Sequence, residues 1–457
     1  MYIYILLSIC ALTGAVNPSL WDLLENIISI THETYVPEDA RLNITQLARK
    51  YRYPFEEHTV VTADGYIINF HRIPPAQGKM NRPVVFLMHG ILESSDSWLL
   101  MGPGKALAYV LADKGFDVWM GNTRGNKYAL KHRALNYTMS KYWMFTWEEI
   151  ALYDIPAMID YILKHTRQDG VYYIGHSQGT TSGYVMCSMR PEYNRKIKIM
   201  FSLAPEAWMG NVRSPLVRMF SPAYNILGYM LKDFNTFSAG IDFFNKISAF
   251  ICSVLPGRCD NILFAISGYE TKVNETLLSV IFGHMPTGSS TFQFVHYGQL
   301  VESKRFCRFN YGPQINKIKY GRRNPPDYDL SKVSAPVVLF YSSKDWLSDP
   351  QDVHTLSSHL PNVFDEFFFD DFTHIDYIYA TDAVNAIYKK IIKYIFKFEN
   401  ESGNDPIPLN LKGTSDHELP SPESALYNIP NIWWGLCFSL TKIEKYLETT
   451  TFVASEM

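Results

Sequence analysis

The 457-residue sequence predicts an α/β fold, in which a mostly parallel sheet is flanked by helices and interrupted by an inserted helical cap. Short runs of β-branched and aromatic residues recur along the chain, and stretches of helical length separate several of them. Such alternation is typical of parallel sheets that are covered on both faces. The alternation stops between about residues 206 and 329 and then resumes, which indicates an insertion.

The predicted elements follow one another in a regular order. An antiparallel hairpin around Asp64-Gly65 is expected over residues 56–71 and leads into the sheet. Buried strands are expected over residues 83–88, 116–120, 171–174, 197–203 and 337–341, and around 367–369. Helices are expected over residues 104–114 and 148–164, and within the insertion over residues 216–231 and 239–251.

The pentapeptide Gly175-His176-Ser177-Gln178-Gly179 is the most informative motif in the chain. It follows a predicted strand and precedes residues 180–189, which lack proline and can be helical. A sharp turn between strand and helix presents a serine hydroxyl above a parallel sheet, and the glycines are needed where a side chain would collide with backbone. We interpret Ser177 as a nucleophile; the alternative is a surface serine in a glycine turn.

A serine hydroxyl needs a base, which is usually a histidine held in its tautomer by a carboxylate. Asp345 follows the predicted strand 337–341, and His374 follows the next strand. Because the carboxyl ends of parallel strands meet at one edge of a sheet, we expect both side chains to lie near Ser177. The rival candidates are the carboxylates Asp349, Asp370, Asp371 and Asp376, and the histidines His354 and His359 on a predicted surface helix.

The oxyanion of a tetrahedral intermediate requires backbone N–H donors. The residue after the nucleophile, Gln178, supplies one donor. The loop after an early strand supplies the other, and His89-Gly90-Ile91-Leu92 follows the strand predicted over residues 83–88. The N–H of Ile91 is the expected second donor.

Composition excludes several classes of protein. The chain is 47% hydrophobic and 19% charged, which excludes wholesale disorder, and its net charge of −3 gives no basic surplus for nucleic acid. No C-x-x-C pair or histidine cluster indicates a metal, and we expect no cofactor. The 15% aromatic content suits an apolar substrate and suits a large core equally well.

The N-terminus indicates transit through the secretory pathway. Residues 1–15 are expected to be a signal peptide, because an apolar run too short to span a bilayer precedes Thr13, Gly14 and Ala15. No other stretch is long and apolar enough for a transmembrane helix. Secretion or lysosomal delivery is therefore expected, and the sequence does not determine the oligomeric state. The N-x-S/T sequons that agree with this route are at Asn43, Asn136, Asn274 and Asn400.

Removal of the signal peptide takes Cys10 and leaves an odd number of the six cysteines. Cys252 and Cys259 bracket a turn sequence, and we expect them to form a disulfide in an oxidising compartment. Cys187, on the helix after the nucleophile, is expected to be a buried thiol. Cys307 and Cys437 have no predicted role.

A proline-punctuated tail is expected over residues 400–457. Within it, residues 429–440 form an apolar segment that is too short to span a membrane. Docking of this segment onto the protein and contact with a lipid surface are the two interpretations.

Several local motifs together are similar to those of the acid lipase family, which includes gastric lipase and lysosomal acid lipase, within the α/β-hydrolase superfamily. They are Phe86-Leu87-Met88-His89-Gly90-Ile91-Leu92, Gly121-Asn122-Thr123-Arg124-Gly125-Asn126, Gly175-His176-Ser177-Gln178-Gly179-Thr180-Thr181, Ser202-Leu203-Ala204-Pro205, Lys344-Asp345-Trp346-Leu347-Ser348-Asp349-Pro350 and His374-Ile375-Asp376-Tyr377-Ile378. The resemblance runs from about residue 43 to residue 395.

This resemblance implies an α/β-hydrolase core formed by residues 16–206 and 329–399, with a helical cap and lid over residues 207–328. It implies that Ser177 is the nucleophile, Asp345 orients the base His374, and the N–H groups of Ile91 and Gln178 form the oxyanion hole. The Cys252–Cys259 pair resembles a cap disulfide with a spacing shorter by two residues, and Ser267 stands where the family has a third nearby cysteine. The tail has no recognised counterpart.

The predicted activity is hydrolysis of water-insoluble lipid esters, such as triacylglycerols or cholesteryl esters, at an oil–water or membrane interface. The same triad would also suit a soluble carboxylesterase, thioesterase or acyltransferase, and a non-catalytic lipid carrier is a third hypothesis. A free histidine with a pKa near 6.5 is only about 3% neutral at pH 5. An ion pair with Asp345 would raise the pKa of His374, and only desolvation would lower it.

Overall fold

A mixed sheet of nine strands forms the centre of the protein. The computed structural model describes residues 36–75, 82–223, 245–246, 248–249, 252–253 and 266–401, all of which fall within one compact unit of the chain. The strands are β1 (Glu56–Val61), β2 (Tyr66–Ile73), β3 (Val84–Met88), β4 (Asp117–Met120), β5 (Lys131–His132), β6 (Val171–His176), β7 (Ile197–Leu203), β8 (Val337–Ser342) and β9 (Val363–Phe369).

The strands lie in the order β1-β2-β4-β3-β6-β7-β8-β9, and β5 pairs with β2. Strands β1, β2 and β5 pair antiparallel, whereas β3, β4, β6, β7, β8 and β9 pair parallel to one another. The structure confirms the predicted hairpin and the six predicted parallel strands, with ends that differ by a few residues. Because β6, β8 and β9 are parallel, their carboxyl ends bring the predicted site residues to one edge of the sheet.

Helices cover both faces of this sheet. They are α1 (Ile44–Lys50), α2 (Leu107–Asp113), α3 (Trp147–Glu149), α4 (Ile155–Thr166), α5 (Gln178–Met189), α6 (Pro215–Phe220), α7 (Glu275–His284), α8 (Thr291–Ser303), α9 (Pro313–Tyr320), α10 (Pro350–His359), α11 (Asp376–Tyr379) and α12 (Lys389–Glu401). A π-helical turn, Ile150–Asp154, joins α3 to α4, so together they form the helix predicted over residues 148–164. Helix α2 confirms the other predicted core helix.

Burial of β3 on both faces explains why the sequences of the parallel strands are continuous apolar runs. All five residues of β3 are buried. Val85 and Leu87 belong to one hydrophobic cluster, which also contains Ile391 and Ile395 of α12. Val84, Phe86 and Met88 belong to a second cluster on the opposite face, to which α4 contributes. Alternate side chains therefore enter two different cores, as expected for a sheet that is covered on both sides.

The described elements between β7 and β8 are helical. Helix α6 begins one residue before the helix predicted over residues 216–231, but most of that prediction and most of the one over residues 239–251 lie outside the described residues. Helices α7, α8 and α9 were not individually predicted. The cap boundaries, 207–328, stay predictions, as do the two core segments, 16–206 and 329–399.

The two terminal predictions lie outside the described residues. These are the signal peptide over residues 1–15 and almost all of the tail over residues 400–457, including Cys437. Within the described part of the chain, no helix combines the length and apolar character needed to cross a bilayer.

Candidate active site

Ser177 lies in a strained turn between β6 and α5. Its φ of 53° and ψ of −122° are a backbone conformation that side-chain-bearing residues rarely adopt. The turn is held because the Ser177 N–H donates to the Leu203 carbonyl at 3.0 Å and the Thr180 N–H donates to the Ser177 carbonyl at 2.8 Å. The structure therefore supports the strand–turn–helix context that the pentapeptide predicted.

Close backbone packing explains both glycines of the pentapeptide. A Cβ atom on Gly175 would lie 2.8 Å from the carbonyl carbon of Gly179. A Cβ atom on Gly179 would lie 2.3 Å from the carbonyl oxygen of Met88, the last residue of β3. Because both obstacles are backbone atoms, no side-chain rotation would relieve either collision. The start of α5 thus packs directly against the strand that leads into the predicted oxyanion loop.

We expect Gly179→Ala to lower both stability and ester hydrolysis. Overpacking typically costs about 1–3 kcal/mol, and displacement of Met88 would move the loop after it, where a shift of about 1 Å can cost roughly 10²-fold in rate. Thermal melting and kcat/KM on a soluble ester measure the two effects. Gly183→Ala on the same helix is the matched control, because its Cβ would meet only the side chains of Tyr173 and Met200, at 3.1 and 3.3 Å. Wild-type activity in Gly179→Ala would contradict this account.

The ends of β8 and β9 bring Asp345 and His374 together. Nδ1 of His374 lies 3.0 Å from each carboxylate oxygen of Asp345. Asp345 is fully buried, and its Oδ1 also accepts the N–H groups of Leu347 and Ser348 at 2.9 Å each. The carboxylate is therefore oriented by backbone donors on one side and by the imidazole on the other. This arrangement suits an acid that holds Nδ1 of a histidine protonated.

The second ring nitrogen of His374, Nε2, is buried and makes no hydrogen bond within the described residues. The structure therefore does not join it to the Ser177 hydroxyl. The residue next to Ser177 does contact this histidine: the His176 Nε2–H donates to the His374 carbonyl at 2.8 Å, and the two ring centroids lie 5.1 Å apart. His374 is thus attached to the nucleophile turn, and its role as base remains a proposal.

The rival acids have other contacts. Asp349 caps α10 through the Gln351 N–H and pairs with Arg213, and Asp376 accepts the Thr373 N–H. Asp371 pairs with Lys272, and Asp370 is exposed. The rival bases His354 and His359 are exposed on α10, as predicted.

Two backbone donors next to the nucleophile turn are free, one in the loop after β3 and one at the start of α5. Among the described residues, the N–H groups of Ile91 and Gln178 donate no hydrogen bond. Glu93 stabilises the loop because its side chain accepts the Gly90 N–H at 3.0 Å. Thr287 holds it from outside by donating its N–H to the Leu92 carbonyl at 2.7 Å. Two free donors agree with the predicted oxyanion hole, and that assignment remains a proposal.

Sequence reasoning missed Glu206, a second buried carboxylate beside His374. Its Oε1 atom lies 3.6 Å from Nε2 of His374, and only 3% of the residue is exposed. Glu206 directly follows Ser202-Leu203-Ala204-Pro205 at the carboxyl end of β7. The positional rule that selected Asp345 and His374 would have selected it as well, had it been applied to this strand.

Electrostatics at His374 favour the protonated imidazole. Burial lowers the pKa of His374, but the charge and hydrogen bond of Asp345, with a smaller effect of Glu206, outweigh burial and raise the pKa to about 9. Burial raises the pKa of Glu206 above its usual range, against the opposing charge of His374. The desolvation that could have lowered the pKa of the predicted base is therefore present but is not the dominant effect.

The remaining predicted positions are accessible or buried as their chemistry requires. Cys187 is a free buried thiol, as expected, and Cys307 is also free and buried. Cys252 is disulfide-bonded; its predicted partner, Cys259, lies outside the described residues, so this pairing stays a prediction. Glycosylation also stays a prediction, and it requires exposed side chains, as found at Asn43, Asn136, Asn274 and Asn400.

One group of potential metal ligands lies away from this site, on β1 and α4. Single ligand atoms of Glu56, His58 and His165 lie within 4.8 Å of one another. The guanidinium of Arg72 already contacts Glu56 at 2.9 Å and His165 at 3.2 Å. Because this cation would repel a metal ion, the group does not support a metal site.

Comparison with known proteins identifies the family to which the chain belongs. A family model described as a partial α/β-hydrolase lipase region matches residues 44–102, and one described as the α/β-hydrolase fold matches residues 83–247. Lipase 3 of Drosophila melanogaster is 43% identical over 358 residues, covering 76% of this chain and 91% of the relative. Gastric triacylglycerol lipase of Rattus norvegicus is 38% identical over 365 residues, covering 78% and 91%.

The human lysosomal acid lipase/cholesteryl ester hydrolase is 34% identical over 376 residues, which cover 80% of this chain and 94% of the relative. Identity of this level extends over most of each chain. The chain therefore belongs to the acid lipase family of α/β-hydrolases.

Proposed function

We propose that this protein is a lipase, a carboxylic ester hydrolase that cleaves esters of water-insoluble lipids through an acyl-serine intermediate. The observation that carries the proposal is the buried His374–Asp345 pair at the sheet edge where Ser177 stands in its strained turn. Family membership and the names of the relatives support triacylglycerols as the first substrate class and cholesteryl esters as the second.

In the proposed reaction, the Ser177 O–H bond breaks as its proton passes to Nε2 of His374 and Oγ bonds to the ester carbonyl carbon. The N–H groups of Ile91 and Gln178 stabilise the resulting oxyanion. The intermediate collapses, the alcohol leaves with the proton from His374, and the acyl group stays on Ser177. Water, activated by the same histidine, then releases the carboxylic acid.

The rate on one ester below and above its solubility limit tests the lipase assignment. A lipase is expected to gain rate when the ester forms droplets, whereas a soluble carboxylesterase, thioesterase or acyltransferase is expected to saturate before that point. Tributyrin and a longer triacylglycerol emulsion, with a cholesteryl ester in mixed micelles, cover the two proposed classes. Absence of any gain above the solubility limit would contradict the assignment.

Covalent labelling distinguishes a lipase from a non-catalytic lipid carrier. A fluorophosphonate probe is expected to label the wild-type protein at Ser177 because the probe requires an activated serine. Wild-type protein that binds lipid but never labels would favour the carrier.

Secretion or lysosomal delivery is the localisation we propose. The disulfide at Cys252 requires an oxidising compartment, and all four sequons are exposed. A shift in mobility after endoglycosidase treatment of protein from a eukaryotic host tests this transit.

A further inference from the structure

Glu206 faces the nitrogen of His374 that the proposed reaction uses. Its Oε1 atom is 3.6 Å from Nε2, whereas Asp345 contacts only Nδ1. Both carboxylates are buried. A protonated His374 would therefore stand between two negative charges, one at each ring nitrogen.

The first turn of the nucleophile helix holds Glu206 in place. The Glu206 N–H donates to the Thr180 hydroxyl at 2.9 Å, and the Thr181 hydroxyl donates to the Glu206 carbonyl at 2.8 Å. The phenol of Tyr297, on α8, favours the charged form of this carboxylate and lowers its pKa. Glu206 thus takes its position from the same helix that carries the nucleophile turn.

Among the described residues, three carboxylates raise the pKa of His374. Asp345 and Glu206 act most strongly, and Glu93 contributes a weaker attraction for its protonated form. His176 contacts its carbonyl and ring, and Tyr297 faces it only through Glu206. Glu206 lies 3.6 Å from Nε2 and has no role in the proposed reaction as described above.

We propose that Glu206 is a positioning residue for the ester hydrolysis proposed above, because its carboxylate faces the Nε2–H of the His374 imidazolium and stabilises the protonated base. Its charge has two opposite consequences. The base accepts the Ser177 proton only when it is neutral, so Glu206 moves the acid limb of the pH profile to higher pH. The imidazolium that forms during proton transfer is also stabilised, so Glu206 raises the rate on the plateau.

The protonation states of the two residues are linked. Burial raises the pKa of Glu206, and the pKa of His374 is raised to about 9. Interacting groups of this kind titrate as a pair with shared apparent values. Removal of the carboxylate charge is therefore expected to leave a single histidine with a lower pKa.

The test is the pH dependence of kcat/KM on a soluble ester for Glu206→Gln. The acid limb is expected to move down by about one pH unit, in line with the effect of an opposite charge at this distance, while the plateau rate falls. Glu206→Asp keeps the charge and is expected to restore a limb near that of the wild type. Glu148→Gln is the matched control, because this buried carboxylate pairs with Arg308 and Tyr328 and its loss should leave the limb unmoved.

A second variant leaves Glu206 in place. Tyr297→Phe removes the phenol group that favours the charged carboxylate of Glu206, so the acid limb is expected to move in the same direction by a smaller amount. The titration of the low-field proton between His374 and Asp345, followed by NMR, measures the same shift without turnover. The inference would be overturned if the variants lowered the rate equally at every pH. In that case neither the acid limb of kcat/KM nor the midpoint of the NMR titration would move.

The outcome separates this inference from the proposed function. A wild-type protein that hydrolyses no ester overturns the lipase assignment, and the NMR titration of Glu206→Gln still tests the electrostatic role of Glu206. If the wild type hydrolyses esters but the acid limb of Glu206→Gln does not move, only the role of Glu206 is overturned.

Discussion

Ser177→Ala is expected to lower ester turnover by a factor on the order of 10⁶, to the level of the remaining binding groups. The substitution removes the oxygen that forms the acyl intermediate, and the nearby Thr180 hydroxyl donates to the Ser177 carbonyl at 2.7 Å. Hydrolysis of a soluble ester, followed under single-turnover conditions, measures the loss. His374→Ala is expected to have a similar effect, because the serine then has no base.

Neither substitution should unfold the protein. The turn at Ser177 is held by backbone hydrogen bonds that alanine keeps, and without the imidazole the Asp345 carboxylate still accepts the N–H groups of Leu347 and Ser348. We expect melting temperatures within a few degrees of that of the wild type. Ser182→Ala is the matched control, since Ser182 is a buried serine on the same helix and has no assigned role. A folded Ser177→Ala protein that retains activity, or a fluorophosphonate adduct on another serine, would refute the assignment of the nucleophile.

Asp345→Asn is expected to lower kcat by about 10⁴-fold through the histidine tautomer. Oδ1 of Asp345 accepts two backbone N–H groups, so the asparagine oxygen should keep that position and turn its amide towards His374. An amide that donates to Nδ1 holds the histidine proton on Nε2, where it prevents acceptance of the Ser177 proton. Steady-state kinetics on a soluble ester, together with thermal melting, measure the effect.

Asp349→Asn provides the comparison for this prediction. Asp349 lies four residues further along the chain and was a rival acid by sequence, but it caps α10 and pairs with Arg213. Its replacement should lower stability and change kcat only a few-fold. A loss in Asp349→Asn as large as that in Asp345→Asn would contradict the assignment of the acid.

The sheet was predictable because its strands carry local signals. Each of the parallel strands β3, β6 and β8 is buried on both faces, so its β-branched and aromatic run is visible in any short window of sequence. Helix α8 was less predictable, although it is similarly buried. Its residues from Val295 to Leu300 are all buried, so polar and apolar residues do not separate onto two faces and no amphipathic period marks the helix.

The candidate site also contains one part that was predictable from local sequence and one part that was not. The pentapeptide around Ser177 is a local signal, because the turn and the two glycines act within a few residues of one another. Asp345 and His374 could be proposed from their places at strand ends, but the sequence could not exclude Asp349 or Asp376. Only their contacts in the folded chain distinguish them.

The sequence by itself determined the strand–helix alternation, the nucleophile turn and the order of serine, acid and histidine along the chain. Tertiary structure alone decided which acid meets the histidine, and it brought Glu206 to the Nε2 atom. It also decided the balance between burial and charge that raises the pKa of His374. The physical reason is the distance along the chain over which each interaction acts. Backbone preferences act over a few residues, whereas a contact between side chains far apart in sequence depends on how whole strands pair in the sheet.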